Sequence, residues 1–267
     1  MDLLQYSFFT NALIGVIIIS VAAAFIGTYI VTRRLVSISG GITHACFGGL
    51  GLGYFLGVSP ILMASVFAIG ASAGVEWLSE RYRVREDSAT AVVWALGMAI
   101  GVLFIFLTPG YVPELNAFLF GNILTISLSD LWAFAIYTII LALFFVIFYD
   151  KIIACAFDRD FARVSQLPVR VISYIMTAMV AVCIVLTIKL VGIMLLMSML
   201  TLPQMIAEMF APRFKTMVIF SMIISIVCGV AGLFISAIIN VPCAAVIVVL
   251  FSLSFIAGRI VVAFRKK

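Results

Sequence analysis

The chain has 267 residues, 66% of them hydrophobic and 10% charged, with 16 Lys and Arg against 11 Asp and Glu for a net charge of +5. Water-soluble domains carry about 45–50% apolar and about 25% charged residues, so the polar surface of a soluble fold is excluded and the surrounding solvent must be lipid. The positive excess does not point to nucleic acid either, because the basic residues fall in short clusters between apolar runs and form no patch or stripe.

Nine apolar segments follow in chain order, at approximately 7–31, 41–57, 59–79, 89–108, 131–149, 171–190, 191–211, 216–238 and 242–263. Each approaches the ~20 residues a helix needs to cross a hydrocarbon core of about 30 Å. The first lacks a basic leader and is too long for a signal-peptide core, so it is read as a retained span. Basic residues cluster at Arg33-Arg34, Arg81/Arg83/Arg85, Lys151/Arg159/Arg163/Arg170, Arg213/Lys215 and Arg265-Lys266-Lys267, with two apolar segments between successive clusters. All five can therefore share the cytoplasmic side, which puts the C-terminus inside and, if all nine segments cross, the N-terminus outside. Eight crossings follow if one short segment is re-entrant or interfacial.

The second segment is rich in glycine. Gly41, Ala45, Gly49, Gly53 and Gly57 recur every fourth residue, a small-residue stripe that lets a neighbouring helix approach closely and predicts a buried helix. It also carries His44, the only histidine. Ten residues beyond Arg34, it lies roughly 15 Å deeper, near mid-membrane. An ionisable group at that depth is kept either for a transport route or for a hydrogen-bonded structural role, and one histidine alone does not make a metal site. Ahead of the fourth segment stands Glu86-Asp87-Ser88, where Asp87 or Ser88 is expected to cap the helix and complement its dipole.

The longest non-basic connection runs from Pro109 to Asp130, and its middle, Ala117 to Leu124, is too short to span and is read as a helix lying at the outer surface. In the seventh segment Met197, Thr201, Gln204 and Glu208 are spaced four, three and four residues apart, hence on one helical face, with Pro203 placed to kink the helix and free a carbonyl. A route for cations and a polar packing seam both fit, since Glu208 is five residues, or about 7.5 Å, from Arg213. Glu76 and Lys189 lie near helix ends, where snorkelling or a loop salt bridge accounts for them. The five cysteines are far apart with no C-x-x-C and read as small apolar fillers. No G-x-x-x-x-G-K-[ST] loop and no separate soluble domain occurs, so any ATP that drives transport must be bound by another chain.

Several stretches, in order across nearly the whole chain, resemble the permease subunits of the ABC-3 family, the membrane component of zinc, manganese and iron ABC importers. Arg33-Arg34 followed by Ser37 to Gly57 is similar to the family's second-helix motif centred on a histidine, here His44. Asp87 with Gly97 and Gly101 resembles its acidic-then-glycine fourth helix, and Leu119-Phe120-Gly121-Asn122-Ile123-Leu124 its L-F-G-x-I-L element. Phe157 to Ala162 is similar to a cytoplasmic F-D-x-x-F-A segment. Lys189 to Leu195 with Leu202-Pro203 resembles K-x-V-G-x-L-L followed by L-P, and Leu233 to Ser236 with Val241 to Ala245 resembles L-x-x-S followed by x-P-x-G-A-x. The chain departs from the pattern at Gly40, where an aspartate commonly stands four residues before the histidine, at Gln166 and Ala244, where glycines are expected, and at Gln204 and Glu208, where small or basic residues are usual.

The resemblance implies an all-α, type II importer-like bundle of eight to nine spans, with residues 1–267 as a single permease domain in a bacterial plasma (inner) membrane. It implies a homodimer with a path at the twofold axis, two cytoplasmic ATP-binding subunits, and an extracytoplasmic solute-binding protein. The cargo is a divalent transition metal, Zn²⁺, Mn²⁺ or Fe²⁺, rather than a permanently bound cofactor. His44 is then the expected metal ligand, with Thr201, Gln204 and Glu208 as candidate oxygen ligands in place of the one lost at Gly40. Asp158, Arg159, Asp160, Phe161 and Ala162 are the expected coupling helix for the ATPase. Two other readings stand beside this one: a permease for a metal chelate such as haem, cobalamin or a siderophore, and an ion-coupled secondary carrier, whose usual internal repeat is not evident. With one histidine, no H-E-x-x-H and no G-x-S-x-G, an intramembrane enzyme has no catalytic set.

Overall fold

The computed structural model describes residues 5–109, 121, 123 and 126–265, so the surface helix expected at Ala117–Leu124 lies outside the described residues except for Gly121 and Ile123. The described residues form eleven helices and no strand. They are α1 (Ser7–Thr32), α2 (Val36–Leu56), α3 (Pro60–Tyr82), α4 (Glu86–Leu107), α5 (Leu128–Ile147), α6 (Tyr149–Phe157), α7 (Arg159–Val164), α8 (Val169–Met199), α9 (Leu202–Phe210), α10 (Phe214–Ile239) and α11 (Cys243–Arg265).

Seven helical stretches are long and apolar enough to cross a membrane, against the eight to nine expected. Two physical features account for the difference. α2, rich in glycine and carrying His44, is not among the seven. The predicted sixth and seventh segments form one helical run of 42 residues, Val169–Phe210, about twice the length one crossing needs. That run is interrupted twice. Gly192 inside α8 is non-helical at φ 78° and ψ 172°, and α9 restarts after Thr201. Pro203 thus lies in the first turn of α9, where its missing N–H breaks no bond, and is not a kink within a continuous helix. Helix ends carry local signals. Ser59 caps α3 by accepting from Leu62 N, with Pro60 at its first turn, and Gly57 closes α2 in the left-handed region at φ 67°.

The chain divides into two compact units. The first holds residues 1–31, 116–147 and 190–267 and the second residues 32–115 and 148–189. In the first unit, α1 packs through small residues: a Cβ on Gly15 would meet Ile126 at 2.9 Å, and one on Gly229 of α10 would meet Val16 at 2.6 Å. Gly232 of α10 admits Ile247 of α11, and Phe145 lies between Phe25 and Phe214, with ring centroids at 5.2 and 6.3 Å. Gly121, at φ 57°, rests on the backbone of Val191 and Gly192, with no room for a side chain. The glycines of two separate sequence motifs are therefore in direct contact. Some hydroxyls inside the helices, Thr138 and Thr187 among them, return to the carbonyl four residues back, which satisfies them without water.

In the second unit α2 is held between α3 and α4, while α6, α7 and the first part of α8 complete the body.

Candidate functional site

The α2 helix approaches its neighbours backbone to backbone. A Cβ on Gly53 would come 2.7 Å from Pro60 Cα, and one on Gly49 2.6 Å from the Met63 carbonyl carbon, so these two glycines serve α3. The opposite side serves α4. A Cβ on Gly97 would come 2.5 Å from Ala45 Cα, and one on Gly101 2.6 Å from the Phe47 carbonyl carbon. One on Gly51 would meet Gly101 Cα at 2.9 Å, and Gly41 abuts Thr90. The stripe of Gly41, Ala45, Gly49, Gly53 and Gly57 is thus shared between two partners. Its last member packs against nothing and acts as the helix cap. Outside the stripe, Gly51 completes the α4 contact and Gly48 lies between Phe67 of α3 and Gly97 of α4.

His44 is set apart on this helix. From Ile38 to Gly51 every residue except His44 is fully buried. Its ring stacks on Trp94 of α4, with centroids at 4.6 Å and planes 5° apart, and lies 6.0 Å from Phe47. The stack fixes the ring plane. Its Nδ1 is buried without a hydrogen-bond partner among the described residues, so a nitrogen able to ligate a cation is held in place but not consumed by the fold. Gly40, one turn earlier, is buried. Trp94 gave no signal in the sequence, since it is one more aromatic in an apolar helix.

The polar residues of the former seventh segment belong to the first unit and are not on one continuous helix. Met197 lies at the end of α8, Thr201 in the break, and Gln204 and Glu208 on α9. Thr201 Oγ1 donates to Met197 O at 2.8 Å. Gln204 is fully buried and its Nε2 donates to Ala23 O at 2.8 Å and Met199 O at 3.1 Å, which ties α9 to α1 where Gly27 makes room. Its Oε1 has no partner among the described residues. Glu208 is exposed. No group of three or more His, Cys, Asp and Glu side chains placed to hold a metal occurs among the described residues.

The charged end of the second unit joins arginines of the first and third basic clusters to Glu80 and Glu86, which flank the second. Arg33, from the first, donates through Nη2 to Glu86 Oε1 at 2.9 Å. Arg159, from the third, donates through Nη1 to the same oxygen at 2.6 Å, and through Nη2 to Glu76 Oε1 at 2.9 Å and Ser173 Oγ at 3.1 Å. Arg170 pairs with Glu80 at 2.8 Å. These three connections therefore lie at one end of the unit. The salt bridge expected of Glu76 forms, but as part of a buried network that its position near a helix end did not reveal. The cap expected from Asp87 or Ser88 does not form. α4 begins at Glu86, and Asp87, in the first turn, accepts from Ser37 Oγ at 2.5 Å instead.

Within the same unit, Asp158 caps α7 by accepting from Asp160 N at 3.0 Å and Phe161 N at 2.9 Å. Phe161 and Val164 are exposed while Ala162 is fully buried, so the short helix has an outward apolar face. Gln166, where the family pattern has glycine, stands at φ 56°. Burial raises the Cys155 thiol above its ordinary range, against the opposing pull of Arg159 and Arg33, which leaves it a protonated filler.

A model of the ABC 3 transport family matches residues 5–262. An uncharacterised membrane protein of Synechocystis sp. is 34% identical over 264 residues, 98% of this chain and 92% of its own length. The manganese transport system membrane protein MntC of Halalkalibacterium halodurans is 28% identical over 258 residues, 95% of this chain and 88% of its own. Among solved structures, PsaBC from Streptococcus pneumoniae in complex with Fab matches with a TM-score of 0.83 at 26% identity, over 96% of this chain and 92% of that one.

Proposed function

Because the chain belongs to the ABC 3 transport family, we propose that it is the membrane-spanning subunit of an ATP-driven importer of a divalent transition metal, with Mn²⁺ the first candidate and Zn²⁺ and Fe²⁺ the others. ATP is hydrolysed by a separate cytoplasmic subunit, and a solute-binding protein delivers the ion on the other side. Two copies of the chain form the path. The name carried by the MntC relative supports manganese. Borderline divalent ions also accept imidazole nitrogen, whereas Ca²⁺ and Mg²⁺ require mostly oxygen.

The observation that carries this reading is His44, the one incompletely buried residue on an otherwise buried stretch of helix, with Nδ1 unpartnered and its ring fixed by Trp94. One imidazole binds a metal weakly. A second copy related by a twofold axis would supply another, and a transit site must release what it binds. Gln204 Oε1 is the inward oxygen of the candidate trio, whereas Glu208 is exposed. The joined basic connections at one end of the second unit support a common cytoplasmic side for them. There the outward face of α7, with Asp160 and Phe161, offers a docking surface to the ATPase.

The test is metal accumulation in a bacterial cell lacking its own manganese, zinc and iron importers, with this chain, its ATPase and its binding protein supplied together. Manganese uptake that is present with the unaltered chain and absent with His44→Ala is the expected result. Uptake that is indifferent to His44→Ala refutes the assignment of the path.

A further inference from the structure

Resting on the reading of α7 as the ATPase docking helix, we propose that Arg159 transmits the movement of the docked ATPase to the helices that carry His44. A single guanidinium there joins α7 to three transmembrane helices at once, to α3 through Glu76, α4 through Glu86 and α8 through Ser173. Arg33, three residues before α2, binds the same Glu86 oxygen. The side chains of Glu76 and Arg33 are 2% and 5% exposed, those of Glu86 and Arg159 17% and 23%. Two positive charges meet two negative ones, so the network is balanced.

The placement of these contacts gives the direction of the coupling. Arg159 is the first residue of α7, and its side chain is bonded to α3, α4 and α8 while Phe161 of the same helix is exposed. Glu86 is the first residue of α4, and Trp94, stacked on His44, is eight residues along the same helix, about 12 Å at a rise of 1.5 Å per residue. Ser37 of α2 and Asp87 of α4 form a second link beside the first. The glycine contacts between α2 and α4 leave no slack for one helix to move alone. A displacement of α7 is therefore delivered to α2 and α4 as a pair.

The chemistry of the link also favours transmission over anchoring. Apolar contacts would hold a loop against a helix bundle without desolvating charges, and buried ion pairs often add little net stability. What a fork of hydrogen bonds supplies instead is fixed direction: a guanidinium presents donors in one plane to several oxygens, and a lysine ammonium at the same place does not span them. Arg159 is thus a positioning residue, acting on the path through Glu86 and α4.

The experiment uses the full transporter in proteoliposomes, with ATP hydrolysis, bound ATPase subunit and imported manganese measured on the same preparation. With Arg159→Gln the ATPase subunit remains bound and the metal imported per ATP hydrolysed falls at least tenfold. Arg159→Lys gives a similar fall, because charge without the fork does not join the three helices. Unchanged import per ATP in either variant overturns the proposal, and so does release of the ATPase subunit by Arg159→Gln, which would make Arg159 a docking contact. If Arg159→Gln does not fold, Arg159→Lys alone decides. Phe161→Asp tests the underlying reading separately: it is expected to release the ATPase subunit, and retention refutes α7 as the docking helix whatever Arg159 does.

Discussion

Replacing Gly97 by alanine is the sharpest test of the way α2 is held. The added carbon would lie 2.5 Å from Ala45 Cα and 3.0 Å from both its Cβ and its carbonyl oxygen. Apolar carbons rest at about 3.5–4.0 Å, so the helices must separate by roughly 1 Å. The nearest atoms belong to a helix backbone and cannot rotate away. Overpacking of this kind costs about 1–3 kcal/mol, and about 1 kcal/mol is recovered because alanine favours helix over glycine. The net loss, up to about 2 kcal/mol, lowers the melting temperature of a chain this long by up to roughly 8 °C. Gly74 of α3 is the control, since a Cβ there meets nothing within 4 Å. Gly74→Ala keeps only the propensity gain, a rise of up to about 4 °C. The assay is thermal unfolding of both variants in the same detergent. If Gly97→Ala melts at or above Gly74→Ala, the backbone contact between α2 and α4 is not the constraint described.

Three further outcomes follow from single residues. Gln166→Gly should raise the melting temperature by about 2–4 °C, because Gln166 stands at φ 56° and a left-handed conformation costs a side-chain-bearing residue about 1 kcal/mol; unchanged melting would place that cost elsewhere. Asp158→Ala removes the oxygen that receives the N–H groups of Asp160 and Phe161, a loss of about 1 kcal/mol at the helix end. It should weaken ATPase binding about fivefold in a pull-down titration, since α7 then frays. Glu208→Gln should leave manganese uptake within about twofold, because the carboxylate is exposed; a larger loss would support Glu208 as a ligand.

Composition and basic clusters made the helical membrane architecture legible, because lipid imposes a strong and regular demand on sequence. The number of crossings was less legible. Glycines that make α2 a close-packing helix also dilute its apolarity, and Gly192 breaks α8 at a kink within one apolar run. His44 stood out as the only histidine, near mid-membrane by its distance from Arg34, but its stacking partner Trp94 and the Glu76–Arg159–Glu86 network depend on contacts between residues far apart in the chain. The regular spacing of Met197, Thr201, Gln204 and Glu208 misled at its first step, where Met197 is cut off from the other three. It assumes an unbroken helix, and the chain breaks between Met199 and Leu202. Asp87 was read as a cap, yet a serine on another helix claims it.

Transport of the ion along the proposed path requires the His44 ring to border its route. This requirement is tested most directly by His44→Cys in a chain whose five native cysteines are replaced, assembled with its ATPase and treated with a membrane-impermeant thiol reagent with and without manganese. Labelling during turnover and protection by manganese are the expected result. No labelling in any state, or labelling that manganese leaves unchanged, contradicts it.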